Sequence, residues 1–571
     1  MKHCILLIVT TIISLIGNGQ EYDLDYFRSP LDIPLFLSGN FGELRSNHFH
    51  AGIDIKTEGV EGKKVYATAD GYISRIKISP FGYGKAIYIN HPNGITTVYG
   101  HLKKFSERIE KIVQEEQYRR EAFSIQMFPA PFKVPVKKGE IIAYSGNTGG
   151  SGGPHLHFET RYTKSEHPTN PLFFGFDVKD SRAPEIRAIN IYPLNDTSLV
   201  DGKNKPKRFQ ATYQNGQYRL ITRNSIRLHG LLGFGIESID RMNGTSNTYG
   251  LHNIQLKMDD QLIFEQEMKE YAFHEDRYLN SLIDYETYIR RKRRVQKSFV
   301  EDGNYLSIYK HAKNKGEILF NDGQSHSLQY ILKDLKDNSA SIQFQVQSDK
   351  IKAESISQVR EKVVKYFPYN QKNTYTDKNI IIDLPKGVLY KDLYFKFHIG
   401  DTLNNTISPL YQIHDHYTPL HRYINVAIKM PDIDPRLKSK ALIVSTIDGK
   451  SFYPEGGKWN GDNLGVKTRS FGGYAVAIDS ISPKIKPINI YPGVNMSGKW
   501  TISLKITDNL SGIASYRATV DNKWILMEYD AKKDLLFYSF DERVGKGKHD
   551  FRIVVTDKVG NKKEYQASFN R

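Results

Sequence analysis

The chain has a single cysteine, Cys4, among 571 residues, and only three tryptophans. One thiol allows no internal disulfide and no cysteine pair for a metal. Any bound transition ion must therefore rest on His, Asp or Glu. Acidic residues are also in deficit, 63 against 80 Lys and Arg, for a formal charge of +17. Such a chain is attracted to anionic partners: nucleic acid, anionic lipid or a cell wall. Long apolar runs are missing too, except at the start, "MKHCILLIVTTIISLIGNGQ". There a basic residue precedes an apolar run from Cys4 to Ile16 and then small and polar residues. Residues 1–20 read as a secretory signal peptide. A retained anchor is the alternative, but the run is short for a membrane span. Cleavage would remove Cys4, and export makes nucleic acid the least favoured partner.

Hydrophobic residues make up 39% of the chain and aromatics 12%, with 36 Tyr and 29 Phe. That mixture, with frequent Gly, Asn and Asp turns, favours strands. At this length one core cannot serve the whole chain. The organising signal is an internal repeat. "DSRAPEIRAINIYP" (Asp180–Pro193) matches "DSISPKIKPINIYP" (Asp479–Pro492) without gaps. "HSLQYILKDLKDN" (His326–Asn338) matches "HDFRIVVTDKVGN" (His549–Asn561). The expected fold is mainly β: an N-terminal antiparallel β-sheet domain over 21–179, then β-sandwich domains. An immunoglobulin-like sandwich with a charged helical insertion is expected over 180–347. A β domain of uncertain topology follows over 348–478, and a compact immunoglobulin-like sandwich over 479–571. The basic run "IRRKRR" (Ile289–Arg294) reads as a solvated helix face.

The candidate chemistry lies in the first of these domains. In "GGPHLHFE", His155 and His157 are two apart, so on a strand they share one face while Leu156 and Phe158 turn inward. In "HFHAGIDIKTEG", His50 and Asp54 are four apart, but glycine and β-branched neighbours favour an extended segment over a helix. "NHPNGITTVYGHL" carries a hairpin signal at Asn93-Gly94 and ends near His101. His91, beside that turn, is expected to be exposed and structural. A helix capped by Ser106 is expected over 106–123. The glycine-rich "SGNTGGSGG" has no Gly-Lys-Ser/Thr and no following helix, which excludes a phosphate cradle. Glu159 reads as a surface residue, with a role in orienting His157 as the alternative. "HDHYTPLH" (His414–His421) reads as an exposed turn with incidental histidines.

The order HxGxD, "YGHL", "GNTGGSGGPHLHFE" resembles the lysostaphin/LytM-type zinc metallopeptidases, peptidase family M23, over roughly Ser38 to Phe174. The wording "SGNFGELRSNHFHAGIDIKTEG" is most similar to multidomain members from Bacteroidetes-type Gram-negative bacteria. The helical segment after His101 departs from the shorter members. The resemblance implies one Zn2+ per chain held by His50, Asp54 and His157, with His101 and His155 catalytic and not bound to metal. It implies hydrolysis of peptidoglycan stem or cross-link peptides, and location in the periplasm or cell envelope or in the medium. Envelope proteins are expected partners of the β-sandwich domains. The competing reading is a non-catalytic activator or scaffold for other wall hydrolases, as relatives that have lost ligands are. The presence of all five residues weighs against it.

Overall fold

The computed structural model describes residues 22–350 and 363–571. The expected signal peptide and Cys4 lie outside the described residues. Strands account for 46% and helix for 8%, as a mainly β reading requires. No helix among the described residues is long and apolar enough to cross a membrane.

Among the described residues, the N-terminal unit has twelve strands and one α-helix. They are β1 (Leu37–Gly39), β2 (Ile53–Lys56), β3 (Lys64–Tyr66), β4 (Gly71–Ile78), β5 (Lys85–Asn90), β6 (Ile95–Leu102), β7 (Lys104–Phe105), α1 (Glu107–Arg120), β8 (Ile125–Met127), β9 (Pro135–Val136), β10 (Ile141–Tyr144), β11 (His155–Tyr162) and β12 (Pro168–Thr169). The main sheet runs β1-β2-β11-β6-β5-β4-β8, with β12 against β11 and β9 against β4. A smaller sheet, β3-β10-β7, lies beside it. Along β11, Leu156 and Phe158 are fully buried. Phe158 meets Tyr99 and Phe176 edge-on, at 5.3 and 5.2 Å between ring centres. Each such side chain contributes roughly 1.5–3 kcal/mol of burial free energy. That inward anchoring sets which residues of β11 face the other way.

The Asn93-Gly94 signal falls between β5 and β6, with Gly94 at φ +79°. Burial of His91 departs from expectation. It is 5% exposed, its Nδ1 donates to the Asp70 carbonyl at 2.8 Å, and its Nε2 lies 2.7 Å from Thr97 Oγ1. Proximity to a turn did not expose it, because its ring packs against Phe27. Helix α1 forms where the apolar spacing places it, with Ile109 and Val113 fully buried. Ser106 sits at the N-cap with extended backbone, yet its side chain makes no capping bond. Glu110 instead accepts from the Phe105 amide at 2.9 Å.

Further along, separate apolar cores are built from residues 186–346, 367–476 and 490–569. In the first, twelve strands share one hydrogen-bonded network. Its longest strand, Ile226–Ile239, turns through Gly230 at φ +81° and pairs with different partners on either side. The charged segment of the repeat forms three short pieces, Phe273–Tyr278, Leu279–Leu282 and Tyr285–Arg291, the last ending inside the basic run. The sequence repeat is kept in space. His326 Nδ1 pairs with Asp259 Oδ2 at 2.7 Å, and His549 Nδ1 with Asp521 Oδ2 at 2.7 Å. The other histidine-rich stretch is not an exposed turn. His414 and His421 are buried, and His421 stacks on Tyr278 with ring centres 4.1 Å apart.

Candidate metal centre

Register brings the distant motif residues together. In the antiparallel pairing of β2 with β11, Asp54 lies directly opposite His157. On the other side of β11, Gly100 of β6 is opposite His157. A Cβ on Gly100 would stand 3.3 Å from the His157 ring, so glycine leaves the ring its room. His50 precedes β2, and its imidazole comes within 3.0 Å of His157.

Three ligand-type atoms form a nearly equilateral triangle. His50 Nε2 is 3.0 Å from Asp54 Oδ1, His157 Nδ1 is 2.9 Å from the same oxygen, and the two nitrogens are 3.0 Å apart. All three residues are buried. One ion about 2.0–2.2 Å from each corner fits above such a triangle, the range of Zn–N and Zn–O bonds. The tautomers agree with this. His50 Nδ1 donates to the Asn40 carbonyl at 2.8 Å, which leaves the Nε2 lone pair facing the cluster. His157 Nε2 points away to Glu159 Oε1 at 2.7 Å, which leaves Nδ1 for the cluster.

Glu159 is therefore not a surface residue. It is fully buried and is also gripped by Arg161, whose Nε lies 2.6 Å from Oε2. Burial alone would raise its pKa, but the Arg161 charge and the His157 bond hold it down to about 2. Arg161 in turn lies over the Phe273 ring, 4.5 Å from its centre. Tyr83 stacks on His157 at 4.8 Å, and Arg45 donates to Asp54 Oδ2 at 2.5 Å. Tyr83 and Arg45 were not among the sequence candidates. Glu159 and Arg161 continue the alternation of His155 and His157, and that pattern was the available signal.

The two remaining histidines lie beside the triangle. His155 Nδ1 donates to the Gly153 carbonyl at 2.8 Å. Its buried Nε2 makes no hydrogen bond and stands 3.3 Å from Asp54 Oδ1. His101 Nδ1 donates to the Thr148 carbonyl at 2.8 Å, and its ring centre is 4.8 Å from that of His155. Burial pushes the His101 pKa down to about 3, and the charges of His157 and His155 add to this. The glycine-rich loop supplies these anchors. A Cβ on Gly146 would lie 2.4 Å from the Lys103 amide nitrogen, and one on Gly149 2.3 Å from the Gly82 carbonyl oxygen. The glycines thus admit close approach of backbone to backbone.

Residues 48–118 and 132–171 match the family model described as Peptidase family M23. The N-terminal unit is accordingly an M23, LytM-type, peptidase domain. Residues 364–479 match a Zu5-like domain. Among curated relatives, the DD-carboxypeptidase/endopeptidase Mpg of Neisseria meningitidis is 35% identical over 129 residues, 23% of either chain. The peptidoglycan DD-endopeptidase ShyC of Vibrio cholerae is 29% identical over 148 residues, 25% of this chain and 28% of its own. The chain thus spans about a quarter of the length of the curated relatives it matches. The lysostaphin catalytic domain of Staphylococcus simulans is 24% identical, covering 25% of this chain and 93% of its own, with a TM-score of 0.19.

Proposed function

We propose that this chain is an exported zinc metalloendopeptidase that hydrolyses peptide bonds of bacterial peptidoglycan. The observation that carries the reading is the buried triangle of His50 Nε2, Asp54 Oδ1 and His157 Nδ1, flanked by two histidines whose Nδ1 atoms are anchored on backbone carbonyls. The donor set of two imidazoles and one carboxylate suits zinc with an open fourth position. When bound, zinc supplies Lewis acidity toward water and the scissile carbonyl. The wall substrate is supported by the relative ShyC, a peptidoglycan DD-endopeptidase.

The protein's own groups do the rest. Glu159 and the Asn40 carbonyl hold the two ligand imidazoles in the tautomers that present a lone pair. His101 stays neutral at neutral pH, so its Nε2 accepts a proton from the attacking water. The same His101 Nε2 then returns that proton to the leaving amine, and His155, with its ring centre 4.8 Å away, offers a second Nε2 lone pair to the water.

The test is digestion of purified peptidoglycan by the wild type and by Asp54→Ala. Wild type releases shorter muropeptides and the variant does not. Equal release by both contradicts the assignment.

A further inference from the structure

Outside the peptidase domain, two further carboxylate clusters stand at matching places in the two repeats. Asp180, Asp240 and Asp334 bring one oxygen each to within 4.8 Å of the others, and so do Asp479, Asp508 and Asp557. Asp180 and Asp479 open the first matched sequence block, and Asp334 and Asp557 fall at the same place in the second. The scaffolds agree bond for bond. Asn338 Nδ2 donates to Asp334 Oδ2 at 2.7 Å and to the Asp180 carbonyl at 3.4 Å. Asn561 Nδ2 donates to Asp557 Oδ2 at 2.7 Å and to the Asp479 carbonyl at 2.9 Å. The Asn338 amide donates to Asp334 Oδ1 at 3.0 Å, and the Asn561 amide to Asp557 Oδ1 at 2.8 Å.

Three carboxylates held this close, two buried and one half-buried in each cluster, call for a countercharge. No Lys or Arg forms an ion pair with any of the six among the described residues. Asp240 is 1% exposed, and its Oδ1 is buried with no hydrogen-bond partner. Asp508 Oδ1 is the corresponding orphan in the second repeat. The first cluster also lines a small cavity of about 20 Å³, room for one water-sized body. An unpartnered carboxylate oxygen in both copies, on a conserved hydrogen-bonded frame, is what a cation site leaves to be filled.

We propose that each cluster holds one hard divalent cation, through Asp180, Asp240 and Asp334 in the first repeat and Asp479, Asp508 and Asp557 in the second. All-oxygen ligands select Ca2+ or Mg2+ over zinc. Each ion ties together three separate pieces of chain. In the first repeat these are the segment arriving from the peptidase domain (Asp180), the end of the long strand Ile226–Ile239 (Asp240) and the turn before Ser339–Ser348 (Asp334). Asp479 likewise directly follows the strand Gly472–Ile478 of the Zu5-like region. The ions therefore fasten each repeat to the domain that precedes it.

The test uses the full chain with Ca2+ and, separately, Mg2+ as titrants, read by calorimetry and by the thermal unfolding midpoint. Wild type binds two ions per chain, with the midpoint rising by several degrees. Asp240→Asn and Asp508→Asn each remove one ion, and the double variant removes both along with the midpoint shift. Asn keeps the size of the side chain and an amide oxygen for the existing hydrogen bonds while removing the charge, so these variants fold without the ion, as circular dichroism would verify. Asp54→Ala keeps both ions, which separates this proposal from the peptidase site. Stronger binding of Ca2+ or of Mg2+ identifies the ion. Absence of binding by both ions, or binding unchanged in the double variant, overturns the proposal.

Discussion

Glu159 is where the geometry makes its sharpest demand on one residue. Its carboxylate fixes the His157 tautomer, so Glu159→Gln weakens zinc affinity about 10–100-fold. Competition with a zinc-sensitive dye would measure it, and unchanged affinity would rule out the positioning role. Its pKa is depressed in the fold, from 4.5 to about 2. The stabilisation is therefore fully present above pH 4.5 and is lost as pH falls toward 2. Unfolding midpoints of metal-free protein should drop across that window in wild type and less steeply in Glu159→Gln. The pairing of His155 with His157 was legible because a two-residue spacing on a strand fixes a common face. The burial of Glu159 was not legible, because Tyr83 and Phe273, which flank His157 and Arg161 beside it, come from distant parts of the chain.

At the level of elements, the glycine-rich loop and α1 carry opposite lessons. The loop was read as not being a phosphate cradle, and its glycines prove to serve close approach to the segments around Lys103 and Gly82. Gly146→Ala puts a methyl against backbone that cannot move aside. It should destabilise the protein by about 1–3 kcal/mol and disturb His101 through its Thr148 anchor. Chemical denaturation gives the first effect, and a fall in muropeptide release the second. Helix α1 was legible from its apolar spacing, with Ser106 expected as its cap. Ile109→Ala there should cost about 2–5 kcal/mol by the same denaturation measurement. What spacing could not give was the cap: the Ser106 side chain makes no capping bond, and Glu110 accepts from the Phe105 amide.

On the scale of the whole molecule, the last β unit folds back onto the peptidase domain. Lys85 pairs with Glu528 at 2.8 Å, Tyr118 of α1 meets Trp524 edge-on at 5.1 Å, and Arg543 lies 3.8 Å over the Tyr118 ring. Lys532 donates to the Ser151 carbonyl at 3.0 Å, on the loop that leads to His155. Glu528→Ala leaves Lys85 buried without its partner, a loss of about 1–3 kcal/mol. Faster proteolytic release of the C-terminal unit would show it, and an unchanged cleavage rate would contradict it. The repeat disclosed the two related β units to a reader of the sequence, but the return of the second to the peptidase domain depends on contacts no local pattern encodes. The central claim still rests on three atoms in one triangle. Its most direct test is zinc per chain, by elemental analysis after zinc loading and gel filtration, in wild type and Asp54→Asn. One zinc in wild type and none in the variant is the predicted result; equal zinc in both, or none in wild type, would contradict it.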